Sequence, residues 1–113
     1  MAVSYKRKNF WLLSNDSVNL LSKLRTEFEK LSDLIDEKQR KLDELWDELT
    51  RIVSREKGRA DAQGLELDEE IEEVILGWSR KLEKAFYALA DASSEIFEVA
   101  LGIRGYVKKL RHD

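Results

Sequence analysis

Three features of the sequence predict an all-α protein built as a long antiparallel two-helix hairpin. Apolar residues recur three and four apart from Leu21 to Ile52 and again from Ile71 to Leu110, the connection between them is short, and no proline interrupts either stretch in 113 residues. An alternation of three and four keeps one stripe of a helix turned toward a neighbour, which is a coiled-coil pattern and not that of a strand. Proline would break such helices, so its absence lets them run long.

The first helix is predicted over about 16–57. Ser14, Asn15, Asp16 and Ser17 carry side chains that accept hydrogen bonds from the orphan N–H groups of a first turn. The predicted stripe is Leu21, Leu24, Phe28, Leu31, Ile35, Leu42, Leu45, Leu49 and Ile52, with Lys38 as its single lapse. Arg51, Arg55 and Lys57 set positive charge at the carbonyl end of the dipole, and Gly58 offers a left-handed C-terminal cap. The connection is read as 58–66, which holds Gly58, Asp61, Gln63 and Gly64.

The second helix is predicted over about 67–111. Glu66, Asp68, Glu69, Glu70, Glu72 and Glu73 concentrate negative charge where the amino end of a helix favours it. Its stripe runs from Ile71 and Val74 through Trp78, Leu82, Ala85, Leu89, Ala92, Ile96, Val99, Ile103 and Tyr106 to Leu110. Two consecutive steps of four around Trp78 read as a stutter, which unwinds a supercoil locally without breaking the helix. Two helices of similar length joined by a short loop fold back antiparallel. Gly77, Gly102, Gly105 and Lys38 leave open an alternative in which the helices break and pack as a compact bundle. The domain division expected is an aromatic and basic N-terminal arm, 1–14, followed by one helical-hairpin domain, 15–113.

Each helix carries more apolar surface than one stripe. Leu20, Leu34, Trp46 and Val53 lie off the predicted stripe of the first helix, and Phe86, Ala90, Phe97 and Leu101 form a second stripe on the other. A face that wide wants another helix. Self-association of two hairpins into a four-helix bundle would cover it, so a homo-oligomer is expected, with the dimer favoured. Trp46, Phe86, Ala90, Phe97 and Leu101 are the candidate oligomer-interface residues. The arm adds Tyr5, Phe10, Trp11, Leu12 and Leu13, read as lying over the end of the bundle or as a docking segment for a heterologous protein partner.

Composition narrows the function classes. Charged residues make up 38% against 42% hydrophobic, the balance of long amphipathic helices rather than of a disordered tail. The net charge of -3 is small against 20 basic and 23 acidic residues, so only local patches can attract a polyanion. No cysteine is present to form a disulfide, a thiolate nucleophile or a thiolate zinc site. The apolar run Phe10–Leu13 is too short for a signal peptide, and no stretch is long enough to span a bilayer. A cytoplasmic protein without a membrane role is expected.

Antiparallel folding brings the two chain ends together. Lys6, Arg7 and Lys8 then neighbour Arg104, Lys108, Lys109 and Arg111, forming a basic tip with Tyr5, Trp11 and Tyr106 near it. Such a tip suits nucleic acid, whose phosphates bind cations and whose bases stack on aromatic rings. The plainer reading is that the helix dipole draws basic residues to a helix end. The interleaved pairs Glu69/Glu72 and Glu70/Glu73 have a spacing that can hold a hard cation, but the run is read as a solvated first turn that compensates the helix dipole. His112, the single histidine, stands beside the C-terminus and has no companion for acid–base work. No catalytic, cofactor or metal residues are assigned, and no enzyme is expected. The expected role is a non-catalytic helical interaction module, a scaffold, adaptor or small regulatory subunit, with a nucleic-acid-binding accessory protein as the alternative.

Overall fold

The computed structural model describes residues 12–111, all of whose regular structure is α-helix. Helix α1 spans Asn15–Ala62 and helix α2 spans Glu69–Arg111, forming a helical hairpin. The predicted Lys6, Arg7, Lys8 and most of the N-terminal arm lie outside the described residues, as does His112.

Both helices start on a capping side chain. Ser14 is the N-cap of α1: its Oγ accepts the Ser17 backbone N–H at 3.2 Å, while its carbonyl accepts the Val18 N–H at 3.0 Å. Asp68 does the same for α2, with Oδ1 accepting the Glu70 N–H at 2.8 Å. Each contact satisfies a donor that the helix itself cannot.

α1 continues five residues past the predicted end, and Gly58 lies inside it. The terminating glycine is Gly64, at φ 70°. Its N–H donates to the Asp61 carbonyl at 3.0 Å, and the Leu65 N–H reaches the Ala60 carbonyl at 2.9 Å. These paired bonds make a Schellman cap, which needs a left-handed residue between them. A single helical glycine costs only about 1 kcal/mol relative to alanine, too little to stop a helix that has partners to pack on.

The described residues divide into two compact units, one made of 12–34 with 92–111, the other Ile35–Asp91. Each packs one stretch of α1 on one stretch of α2. In the first unit, Ser32 meets Ser93 and Asn19 meets Arg111, so residue numbers fall on one helix as they rise on the other. In the second, Gln39 meets Phe86 and Lys57 meets Glu72, again antiparallel.

The packed stripes keep a regular three–four alternation but differ from those predicted. Within the first unit, Val18, Leu21, Arg25, Phe28 and Ser32 of α1 are shielded, together with Ser93, Ile96, Ala100, Ile103 and Val107 of α2. Within the second, the shielded residues are Ile35, Gln39, Leu42, Trp46, Leu49 and Val53 of α1 with Ile75, Ser79, Leu82, Phe86 and Leu89 of α2. The residues common to both readings are Leu21, Phe28, Ile35, Leu42 and Leu49 on α1 and Leu82, Leu89, Ile96 and Ile103 on α2. The seam uses the other flank of each common stripe. Leu24, Leu31, Leu45 and Ile52 are exposed, as are Val74, Trp78, Val99 and Tyr106. The alternation runs through Ile75, Ser79 and Leu82 without a stutter, and Trp78, 53% exposed, points away from it.

Small polar residues set that choice in the first unit. The Ser32 and Ser93 hydroxyls lie 2.9 Å apart, and each lies 3.2 Å from the other residue's carbonyl. Both residues are buried, and no buried side-chain polar atom among the described residues lacks a partner. Serines that satisfy each other let two backbones approach where a leucine would hold them apart.

Because Gly64 occupies a left-handed position, Gly64→Ala is expected to lower stability by about 1 kcal/mol. Gly58→Ala, with nothing within 4 Å of a new Cβ, should raise it by about 0.5–1 kcal/mol. Urea titrations of the two variants at one protein concentration give the comparison, and equal signs would refute the cap assignment.

Candidate functional site

The described residues offer two surface features of functional interest: exposed apolar faces and a basic cleft. The buried hydrophobic residues among them are Val18, Ala100 and Val107, and no large side chain is completely enclosed. In the first unit Leu24 and Leu31 remain open on α1, with Phe97 and Leu101 open on α2. In the second, Leu45 and Ile52 are open on α1 and Ile71, Val74 and Trp78 on α2. A shallow, mainly apolar hollow of about 340 Å³ lies along Glu70, Ile71, Val74, Ile75 and Trp78.

The five candidate interface residues separate into two groups. Trp46 and Phe86 belong to the seam of the second unit, partly buried, with ring centroids 6.2 Å apart and planes tilted by 57°. Tyr87 meets Phe86 edge-on at 5.5 Å, and the Gln39 side-chain amide donates to the Phe86 carbonyl at 3.4 Å. Ala90 is also partly buried. Phe97 and Leu101, at 44% and 45% exposure, lie on the outer surface of the first unit.

The basic residues of the predicted tip are likewise sorted by the fold. Arg104, Lys108 and Arg111 line a cleft of about 380 Å³ with Val107 of the same helix and Ser22 and Arg25 of α1. Lys109 is not among its lining residues. Sequence reasoning missed Arg25, which sits mid-helix as one half of an i,i+4 pair with Glu29 at 3.4 Å. Its signal lies in the fold: only the antiparallel partner brings it opposite Arg104 and Lys108.

The acidic run at the start of α2 divides its labour differently. Asp68 caps the helix, and Glu72 pairs with Lys57 at 2.6 Å across the second unit. Among the described residues, no group of three or more histidine, cysteine, aspartate or glutamate side chains is gathered closely enough to hold a metal ion. No helix among them is long and apolar enough to cross a membrane.

No known family model matches the chain, and no curated protein and no solved structure matches it significantly. The geometry of the two helices therefore carries the functional reading.

Phe86 holds contacts within one chain, whereas Leu101 is open. Phe86→Ala is expected to cost the hairpin about 2 kcal/mol, and Leu101→Ala less than about 0.5 kcal/mol, in urea titrations of dilute protein. A larger loss for Leu101 would show that its side chain is already covered in the dilute chain.

Proposed function

We propose that this protein is a non-catalytic helical interaction module, a scaffold, adaptor or small regulatory subunit, that works as a homo-oligomer. One observation carries the reading: the leucine flank of α1 stays exposed although it has the spacing of a coiled-coil seam. Leu31 is 43% exposed and Leu45 49%. A solvated helix face has no use for leucine or isoleucine every seven residues, whereas a partner helix does.

A second copy of the same chain supplies the matching surface. Two-fold association sets one patch against itself, so each exposed flank meets an identical one. Covering a half-exposed leucine or phenylalanine contributes about 1 kcal/mol, and several such residues on each chain suffice to offset the entropy of association. A four-helix bundle of two hairpins is the arrangement that this reading proposes.

Light scattering coupled to size exclusion tests it. The expected mass is about twice the 13.2 kDa of the chain. Leu31→Glu combined with Leu45→Glu should return it to the mass of one chain, and Phe97→Glu should weaken association, because a buried unpaired carboxylate is costly. A single-chain mass for the unmodified protein at every concentration would overturn the homo-oligomer and turn attention to a partner of different sequence.

A further inference from the structure

The basic cleft of the first unit is not accounted for by the association of apolar faces. Arg104, Lys108 and Arg111 stand at i, i+4 and i+7 on α2, and Arg25 faces them from α1. Like charges one turn apart on a helix repel, so this stack is unfavourable unless something negative lies against it. Among the described residues Arg104 and Lys108 have no ion-pair or hydrogen-bond partner. Arg25 pairs with Glu29 of its own helix, while Arg111 donates to the neutral Asn19 side chain at 2.6 Å. Among the described residues the lining of the cleft carries four cationic side chains and no carboxylate.

The helix dipole accounts for only part of this charge. Its pull on cations is confined to the last turn, which holds Lys108, Lys109 and Arg111. Arg104 is two turns from the end of α2, and Arg25 lies almost three turns into α1, beyond the reach of either end of its dipole. Both nevertheless converge on the same hollow.

From this arrangement we infer that the cleft binds a compact oligophosphate anion, one carrying two or three linked phosphate groups. Concavity decides between a compact and an extended ligand. Cations from two facing helices border a small open hollow from both sides, whereas an extended nucleic-acid backbone is better served by a row of cations along one ridge. Arg104 to Arg111 covers only about 10 Å of helix. The cleft, at about 380 Å³, is of the size that small-molecule sites occupy. Two arginines from opposite walls provide planar, doubly donating contacts to phosphate oxygens, and Lys108 adds a third charge between them. Arg111 is held in place by Asn19, so part of the site is ordered before a ligand arrives.

Titration of the full chain with inorganic tripolyphosphate at low ionic strength, followed by calorimetry, tests the inference. Saturable binding is expected, weakening as salt is added. Arg104→Ala should weaken it about tenfold or more, and Lys109→Ala, which removes the same charge outside the cleft, should leave it within about twofold. Both positions are exposed, and circular dichroism of the variants checks that the helices persist. Equal losses in the two variants would reduce the effect to general charge and overturn the site. No saturation with tripolyphosphate would overturn it as well, as would Arg104-dependent binding of a DNA duplex that tripolyphosphate fails to displace.

Discussion

Two helices that pack only on each other can hide one stripe apiece, and this constraint governs the molecule. Each helix here has a central apolar stripe with a more polar flank on one side and a more apolar flank on the other. Packing one flank exposes the other. The hairpin buries Ser32 against Ser93 and partly shields Gln39 and Trp46 of α1 and Phe86 and Ser79 of α2, while the leucines of the opposite flank face solvent. Stability within each unit and the capacity to take on another helix are therefore two consequences of one rotation about the helix axes.

Burying the more polar flank has a physical basis in fit. The Ser32–Ser93 pair closes its hydrogen bonds internally, so two hydroxyls are buried without an unmet partner. Small side chains there bring the helices close, and the bulk of Trp46 and Phe86 is accommodated in the other unit, where the rings meet each other. A leucine-on-leucine seam would hide more hydrocarbon but would leave these polar groups with water as their partner. The flank that remains on α1 is apolar apart from Lys38, regular in spacing and without serines, which suits it to pairing with a further helix.

The sequence made the helices and their order legible, because periodicity and proline content are properties of single segments. The common stripe of Leu21, Phe28, Ile35, Leu42 and Leu49 was legible for the same reason. Which flank accompanies it was not: hydropathy favours Leu24, Leu31, Leu45 and Ile52, and it cannot register that Ser32 and Ser93 complete each other across 61 residues of chain. The helix end was misplaced at Gly58 because a glycine after basic residues resembles a cap, whereas the actual cap depends on the paired bonds around Gly64. The apparent stutter at Trp78 arose from following the largest side chain instead of Ser79. At the basic end, Arg104, Lys108 and Arg111 share one face by their spacing on a single helix, whereas Lys6, Arg7 and Lys8, expected to join them, lie outside the described residues. Arg25 was hidden because an i,i+4 pair with Glu29 is an ordinary feature of a solvated helix.

The rotation of the helices and the role of the exposed flank are tested together by thiol labelling, since the chain has no cysteine of its own. Leu31→Cys and Ser32→Cys place a reactive group on adjacent residues that face different surroundings. The account predicts slow labelling of position 32 at every protein concentration. Position 31 should label rapidly in dilute protein and slow as the concentration rises. Rapid labelling at 32 with protection at 31 in dilute protein would contradict the seam, and concentration-independent labelling at 31 would contradict the partner role of the leucine flank.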